Sequence, residues 1–330
     1  MTMPVSAAAV KRLSAIPNLN VLPGEQLAPH TRFNIGGPAT LFCDTAEADA
    51  FVEALRTAKD LALPRMIIGG GTNLVVSDAG FDGVVLRYTG SRIQRDGLLL
   101  HVEGGAVLQD VVNESIVLGL QGLQTMTGIP GSLGGAVYGN AGAYGRSIEE
   151  LVEHVHVTDG EVALTLSNPE CRFRYRDSIF KDRKDWIILS AELRFETGDP
   201  IQLAKTATDI RAVRDAKYPP TMKCAGSIFK NLLFADLPPR VQTQVPGTVV
   251  REGKVPSAWF LEQAGARGLR RGDIQVASYH ANLIYNDGAG KASDLVAVIQ
   301  DLKQRVRNRF DIELEEEVQY LGFECVDALV

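Results

Sequence analysis

Residues 128–145 read GIPGSLGGAVYGNAGAYG and contain seven glycines among eighteen residues. No charged residue occurs between Glu114 and Arg146. Glycine loses more backbone freedom on folding than any other residue, so this run indicates positive φ angles or a close approach to the backbone. The stretch is either a tight loop packed against its own protein or a backbone surface that contacts a ligand. A membrane span is not expected, because Pro130, Asn140 and the glycines interrupt the roughly 18 apolar residues that a span needs.

Length and composition predict a globular protein of two or three domains. The chain has 330 residues, of which 45% are apolar and 22% are charged, and this length can bury a large core without disulfides. The net charge of -6, without a basic cluster, makes nucleic acid and anionic membranes poor partner predictions. The N-terminus lacks the charged region and apolar core of a signal peptide, so a cytoplasmic protein is expected.

Cysteines and histidines give no metal or disulfide prediction. His154 and His156 share one face of a hairpin predicted around Asp159-Gly160. With no third ligand nearby, the two histidines are expected to be solvated or packed rather than metal-bound. Four cysteines lie far apart, without metal-ligand spacing, at Cys43, Cys171, Cys224 and Cys325.

A second glycine run follows the short apolar strand predicted at residues 66–68. The sequence Gly69-Gly70-Gly71-Thr72-Asn73 makes a nest of backbone donors suited to an anion. It lacks both the Gly-x-Gly-x-x-Gly spacing and the lysine of a phosphate loop, so neither a Rossmann site nor a P-loop is predicted. A glycine hairpin is a credible alternative interpretation of this segment alone.

Residues 171–181, CRFRYRDSIFK, alternate arginines with aromatic residues. As a predicted strand, they place Arg172, Arg174 and Arg176 on one face. That face is either solvated or an anion site for phosphate or carboxylate.

The last third of the chain contains a turn of small residues, a long helix and a closing strand. Ser227 lies in a turn of small residues, without the Gly-x-Ser-x-Gly elbow of a hydrolase nucleophile. Ser293 is predicted to cap a helix that runs to about Phe310. Residues 311–322 are predicted as a closing strand, in which Glu316 is the one acidic residue on the apolar face.

Seven segments together resemble the UDP-N-acetylenolpyruvoylglucosamine reductase family. Four carry the match: TRFNIGGPA, GGGTNLVVSDAGFDGVVLR, TGIPGSLGGAVYGNAGAYG and AGSIFKN. YRDSIFK, SYHANLIYN and LEEEVQYLG support it. A single glycine loop would be weak support, but the order and number of these segments, over about residues 31 to 322, identify the chain as a member of the family.

The resemblance implies an α+β protein. Its FAD-binding portion is of the vanillyl-alcohol-oxidase type, with two α+β subdomains at residues 1–88 and 89–214, followed by a smaller α+β substrate domain at 215–330. FAD is expected to be non-covalent, because neither glycine stretch contains a histidine or cysteine. The expected cofactor contacts are Arg32, Ile35, Gly36, Gly37, Gly69, Gly70, Gly71, Thr72, Asn73, Leu74, Thr127, Gly128, Ile129, Pro130, Gly131, Gly134, Gly135, Asn140 and Gly142.

The chemistry implied by the resemblance has two halves. NADPH reduces FAD, and the reduced flavin gives a hydride to carbon 3 of the enolpyruvyl group of UDP-N-acetylglucosamine enolpyruvate while an acid protonates carbon 2. Ser227 matches the proton donor, and Arg176 and Glu317 match the pair that polarises the enolpyruvyl group. An enol ether accepts hydride poorly unless developing negative charge is stabilised, which a fixed guanidinium does. A serine hydroxyl is a weak acid, so it depends on placement.

Further expectations come from the same resemblance. The partner is this small molecule, the protein is a monomer that works in peptidoglycan precursor synthesis, and no metal is expected. Substrate contacts are expected from Tyr175, Lys217, Lys230, Asn231 and His280.

The chain departs from the family pattern at three positions outside the catalytic ones. Gln319 stands where arginine is usual, Glu316 where proline is common, and Cys224 where serine is frequent. Only 51 positions separate Arg176 from Ser227, as in the short class of the family that lacks a substrate-closing tyrosine loop.

Two alternatives remain open from the sequence. An FAD-dependent alcohol oxidase of the same fold would turn over oxygen rapidly, but it leaves the Glu317 motif unexplained. A non-catalytic protein that binds a nucleotide sugar would purify colourless, whereas a flavoenzyme would be yellow.

Overall fold

The computed structural model describes residues 5–323, which form two compact units. Unit one comprises the residues up to Glu25, Ala39–Gly71 and Phe81–Pro220. Unit two comprises Gln26–Pro38, Thr72–Gly80 and the described residues from Thr221 onward. Two short segments from the first quarter of the chain therefore belong to the unit that the last third builds. The predicted division at 88/89 and 214/215 stays a prediction.

The N-terminal part of unit one is a mixed four-stranded sheet with two helices. Apolar residues on one face of the helix Ala48–Asp60, including Phe51 and Leu55, join a buried core with the sheet. The helix Ala7–Ser14 adds Leu13 to the same core. In spatial order the strands are Asn20–Pro23, Ala39–Thr45, Phe81–Tyr88 and Arg65–Ile68; the first pair is antiparallel and the others are parallel.

A five-stranded antiparallel sheet with its own hydrophobic core forms the rest of unit one. In spatial order its strands are Ala163–Ser167, Val152–Thr158, Ile187–Arg194, Leu99–Glu103 and Ile93–Asp96. Two short strand pairs are Leu120–Gln121 with Glu196–Thr197 and Gly142–Ala143 with Arg146–Ser147. The helices are Leu108–Val117, Leu133–Tyr138, Ile179–Asp182 and Pro200–Lys217, with 3₁₀ turns at Leu123–Met126, Ile148–Glu150 and Asn168–Cys171.

The hairpin predicted around Asp159-Gly160 is confirmed. Gly160 has φ 95, and the Asp159 carboxylate accepts the Val162 backbone N–H at 2.8 Å. His154 and His156 are half-exposed, and their ring nitrogens lie 3.0 and 3.2 Å from the Glu192 carboxylate. Within residues 5–323, no group of three or more histidine, cysteine or acidic side chains could hold a metal ion.

Unit two is built around the helix Ala292–Phe310. Its predicted apolar positions, from Leu295 to Val306, are all buried in one core. The shorter helices are Pro239–Gln242 and Ser257–Gln263, and the 3₁₀ turns are Ala28–His30, Phe234–Asp236 and Gly247–Val249. The strands are Leu74–Val76 parallel to Gln319–Leu321, Leu232–Leu233 antiparallel to Lys254–Val255, and the antiparallel set Arg270–Arg271, Ile274–Val276 and Ile284–Asn286. No helix in the described part of the chain is long and apolar enough to cross a membrane.

The strand predicted at residues 171–181 is wrong, and its arginines do not share a face. The backbone is left-handed at Arg172 (φ 47) and at Arg176 (φ 55), and a strand cannot continue through such residues. Two backbone hydrogen bonds between Arg174 and Asp177, of 3.0 and 3.1 Å, close a tight turn instead. Alternation of arginine with aromatic residues suggested a strand, but these turn bonds decide the local conformation.

Two elements of unit two also differ from the prediction. The closing strand is limited to Gln319–Leu321, although the predicted alternation does bury Ile312, Leu314 and Val318. Ser293 does not cap the last helix, because it lies inside the helix. Cys325 lies outside the described residues.

Candidate functional site

The two predicted glycine stretches meet within unit one. A Cβ on Gly69 would lie 2.7 Å from the Ser132 hydroxyl, so a larger residue at this position would displace the Ser132 side chain. Ser132 in turn caps the helix Leu133–Tyr138 by accepting the Gly135 N–H at 3.3 Å. The Gly134 N–H donates to the Gly104 carbonyl at 2.8 Å, which ties the stretch to the five-stranded sheet region. Residues 128–145, the central stretch, therefore form a packed loop whose backbone lies close to Gly69.

The start of the central stretch lies beside a cation that the sequence analysis missed. Gly128 has φ 75, and its N–H donates to the Gln109 side chain at 2.6 Å. A Cβ on Gly128 would lie 3.2 Å from Nε of Arg214. Within residues 5–323 this buried Nε has no hydrogen-bond partner, and burial lowers the pKa of Arg214. A desolvated guanidinium with an unused donor suits an anionic group of a ligand.

The loop that carries Arg176 is tied to the end of the central stretch. Arg176 Nη2 donates to the Gly142 carbonyl at 2.9 Å, and Lys181 Nζ donates to the Arg176 carbonyl at 2.5 Å. Two more bonds run from Ser178 Oγ to the Tyr138 carbonyl (2.6 Å) and from Asn140 Nδ2 to the Arg174 carbonyl (2.8 Å). The structure thus brings predicted catalytic and cofactor-binding residues together within unit one.

Contacts within the protein explain why positions 140 and 142 are asparagine and glycine. The Asn140 side chain is buried and bonds to Glu149 as well as to the Arg176 loop. A Cβ on Gly142 would lie 2.5 Å from the Arg146 carbonyl, inside the short hairpin. The Asn140 side chain therefore holds the loop that carries Arg176 in place.

In unit two, Ser227 lies on an extended segment held from both sides. Ser227 bridges Leu283, and the Ile228 N–H donates to the Asn282 carbonyl at 3.1 Å. The buried Asn282 side chain also accepts from the Phe229 N–H and donates to the Phe229 carbonyl, both at 2.9 Å. Asn282, inside the SYHANLIYN segment, is a second residue that the sequence analysis did not single out.

Glu317 lies on the segment that pairs with the other side of the Ser227 segment. The Glu317 N–H donates to the Ile228 carbonyl at 2.7 Å. The Glu317 carbonyl accepts from Asn73 Nδ2 at 2.6 Å, and the Asn73 carbonyl accepts from Gln319 N at 2.9 Å. The structure thus places two predicted catalytic residues on neighbouring segments and gives Asn73 a part in holding one of them.

The remaining predicted residues of unit two lie nearby in its fold. A Cβ on Gly36 would lie 2.7 Å from the Val76 side chain, and one on Gly37 would lie 2.3 Å from the Asp78 carbonyl, so the Ile35–Gly37 turn packs tightly on residues 76–80. Lys230 pairs with Glu315. The Asn231 side chain accepts the Ser257 N–H at 3.3 Å, and His280 lies in the turn between two strands.

The predicted residues divide between the two units. Unit one holds Gly69, Gly70, Gly71, the residues from Thr127 to Gly142, Tyr175, Arg176 and Lys217. Unit two holds Arg32, Ile35, Gly36, Gly37, Thr72, Asn73, Leu74, Ser227, Lys230, Asn231, His280 and Glu317.

Two family models match this chain. Residues 40–163 match the model of an FAD binding domain, and residues 218–321 match the C-terminal domain of UDP-N-acetylenolpyruvoylglucosamine reductase. The reductase of that name from Solibacter usitatus (strain Ellin6076) is 55% identical over 94% of this chain and 100% of its own length. The one from Carboxydothermus hydrogenoformans is 33% identical over 92% of this chain and 94% of its own length.

A solved structure shows the same fold. The crystal structure of UDP-N-acetylenolpyruvylglucosamine reductase from Thermus caldophilus superposes with a TM-score of 0.71 at 26% identity, covering 92% of this chain and 99% of that one. The predicted α+β fold, with an FAD-binding portion and a separate C-terminal domain, is therefore confirmed.

The residues present in unit one fit an FAD group. The buried Arg214 beside Gly128 has an Nε donor that no group within residues 5–323 uses, and it suits an anionic or carbonyl oxygen of the cofactor. The cofactor prediction from the sequence agrees with the domain match. With 55% identity over 94% of its length, this chain belongs to the UDP-N-acetylenolpyruvoylglucosamine reductase family and is an FAD-containing oxidoreductase.

Proposed function

We propose that the protein reduces UDP-N-acetylglucosamine enolpyruvate to UDP-N-acetylmuramate with NADPH, a cytoplasmic step of peptidoglycan precursor synthesis. The observation that carries the proposal is the 55% identity, over 94% of the chain, to a reductase of that name. Neither an alcohol oxidase nor a non-catalytic binding protein accounts for a C-terminal domain of the reductase type at residues 218–321.

FAD would be held by backbone of the two glycine segments, Gly69–Leu74 and Gly128–Gly142. Arg32 and the turn from Ile35 to Gly37 are the other proposed contacts. Bound FAD supplies the hydride chemistry, accepting a hydride from NADPH and delivering one to carbon 3 of the enolpyruvyl group. Side chains of this protein carry out the remaining steps of the proposed reaction.

Arg176 stabilises the negative charge that develops on the substrate as carbon 3 is reduced. Its hydrogen bond to the Gly142 carbonyl and the bonds around its loop hold the guanidinium in one orientation before the substrate arrives. Preorganised donors of this kind lower a barrier because they need no rearrangement during the reaction. Glu317, whose main chain is fixed on both sides, polarises the same enolpyruvyl group.

Ser227 delivers the proton to carbon 2. A hydroxyl is a weak acid, so placement matters more than its pKa. The paired segments on both sides of Ser227 supply that placement. Tyr175, Lys217, Lys230, Asn231 and His280 are proposed to bind the substrate.

Ser227→Ala tests this function because it separates the two half-reactions. Flavin bleaching by NADPH should keep close to the wild-type rate, since no substrate proton is involved. Reoxidation by the enolpyruvyl substrate should slow by about 10²–10⁴, the usual contribution of a positioned general acid. Stopped-flow absorbance of the flavin follows both steps on one sample.

Ser227→Cys is the matched variant, because a thiol still carries a transferable proton. It should retain more reoxidation activity than the alanine variant. Normal reoxidation in Ser227→Ala, or loss of flavin reduction instead, would assign Ser227 a binding or structural role.

A further inference from the structure

Glu316, the residue immediately before Glu317, is an acidic side chain held on both oxygens. Lys303 Nζ, from the helix Ala292–Phe310, lies 2.9 Å from one oxygen, and the Tyr320 hydroxyl donates to the other. The Lys303 and Glu316 side chains are only 18% and 12% exposed. Burial, together with the Glu316 charge, raises the pKa of Tyr320, so its hydroxyl keeps the proton that it donates.

A gain in stability does not explain why the Lys303–Glu316 ion pair is buried. Taking two charges out of water costs about as much as their attraction returns, whereas an exposed pair avoids that cost. The same helix carries an exposed pair, Arg305 with Asp301, at 40% and 51% exposure. The burial of Lys303 and Glu316 therefore points to a requirement for a defined geometry.

That geometry is transmitted to Glu317 through the main chain. Phe229 and Glu316 face each other as an isolated antiparallel bridge. The bridge hydrogen bonds come from the flanking residues, Glu317 N to the Ile228 carbonyl at 2.7 Å and Lys230 N to the Glu315 carbonyl at 2.9 Å. Glu316 thus sits at a position where its own N–H and carbonyl are not used by the bridge. The bonds from the Glu316 side chain to Lys303 and Tyr320 hold the main chain at this point instead.

We infer that Lys303 and Tyr320 are positioning residues that, through Glu316, hold the Glu317 carboxylate in place for the reaction. The inference rests on the proposed role of Glu317. A displacement of about 1 Å at a reacting group can cost about 10²-fold in rate. Lys303 and Tyr320 are therefore expected to affect substrate reduction without touching the substrate.

Lys303→Met and Tyr320→Phe test the inference on the FAD-loaded enzyme. In both variants, reoxidation of the flavin by the enolpyruvyl substrate should slow, by about 10- to 10²-fold for Lys303→Met and less for Tyr320→Phe. Flavin reduction by NADPH and the substrate dissociation constant, measured by titration of the oxidised enzyme, should stay within about twofold of wild type. Arg305→Met, on the exposed side of the same helix, is the matched control and should leave every step unchanged.

Two further variants separate positioning from stability. Lys303→Arg keeps the cation and should restore the reoxidation rate. The double variant Lys303→Met/Glu316→Gln removes the unpaired charge, so it should regain the melting temperature lost in Lys303→Met while reoxidation stays slow. If Lys303→Met does not fold, Tyr320→Phe carries the test, because it removes only a hydroxyl and keeps the ring packed 5.4 Å from Phe323.

Glu317→Gln, measured in parallel, distinguishes the two possible failures. Slow reoxidation in Glu317→Gln but wild-type reoxidation in both Lys303→Met and Tyr320→Phe would overturn the inference alone. Normal reoxidation in Glu317→Gln would overturn the proposed role of Glu317 itself. A defect in Lys303→Met that the double variant cures together with its melting temperature would show a purely structural role.

Discussion

At the scale of single residues, Arg176 combines a strained backbone with a proposed catalytic role. Its φ of 55 lies in the left-handed region, which costs a non-glycine residue on the order of 1 kcal/mol. The surrounding bonds to Gly142 and from Lys181 fix this conformation. Backbone strain of this kind is often found where a side chain must be held in one direction.

Replacing Arg176 by lysine keeps the charge but loses the planar fork of donors. We expect Arg176→Lys to slow substrate reduction by about 10²–10³, the usual cost of removing one preorganised donor, while flavin reduction by NADPH is retained. Arg172→Lys is the matched control, because Arg172 is exposed and has a similar φ of 47. Wild-type turnover of substrate by Arg176→Lys, measured by stopped flow, would contradict the assigned role.

At the scale of elements, Asp78 caps the longest helix of unit two from far away in the sequence. Its carboxylate accepts the backbone N–H groups of Ala292 at 2.7 Å and of Ser293 at 3.0 Å, and the Ser293 hydroxyl at 2.8 Å. Burial raises the pKa of Asp78, but these hydrogen bonds to the charged form outweigh it, and the pKa lies below its ordinary value.

Asp78→Ala should destabilise the protein by about 1 kcal/mol at neutral pH, the typical value of an N-terminal helix cap. Because the folded-state pKa is lowered, this stabilisation is present above the unfolded pKa of about 3.9 and is lost as the pH falls through the folded value. Urea unfolding of wild type and variant at pH 7 and near pH 3 measures the difference, which should shrink in acid. Asp96→Ala, at an exposed strand end, is the control, and a difference that grows in acid would refute the cap.

At the scale of the whole molecule, the predicted site residues divide between the two units. Unit one carries Gly69–Gly71, residues 128–145 and Arg176, whereas unit two carries Thr72, Asn73, Ser227 and Glu317. The three described cysteines, Cys43, Cys171 and Cys224, are buried, and burial raises the pKa of Cys43 and Cys171 to about 12, which keeps both thiols protonated and unreactive. A monomeric state stays a prediction.

FAD should be released intact when the protein is denatured. Acid precipitation of the yellow protein should leave all flavin absorbance in the supernatant, because neither glycine stretch contains a histidine or cysteine for a covalent link. A sample to which free FAD is added after denaturation controls for flavin trapped in the precipitate. Colour that stays in the washed pellet beyond that control would show a covalent bond.

The sequence by itself determined the family, the cofactor and several local elements. Glycine runs and short motifs are local, and so are the turn at Asp159-Gly160 and the apolar period from Leu295 to Val306, because each depends on residues a few positions apart. Their order along the chain carried the family assignment, which the comparisons confirm.

Only the tertiary structure decided the points that depend on distant partners. Asp78 caps a helix that begins 214 residues later, the turn at Arg176 is tied to the central glycine stretch, and Glu316 is held by Lys303 and Tyr320 rather than left unpaired on an apolar face. Local pattern predicted a serine cap, a strand of arginines and an unexplained acid at these places. Sequence patterns could not predict these features. The free energy of a helix cap, a turn or a buried charge depends on the groups that the fold brings into contact with it.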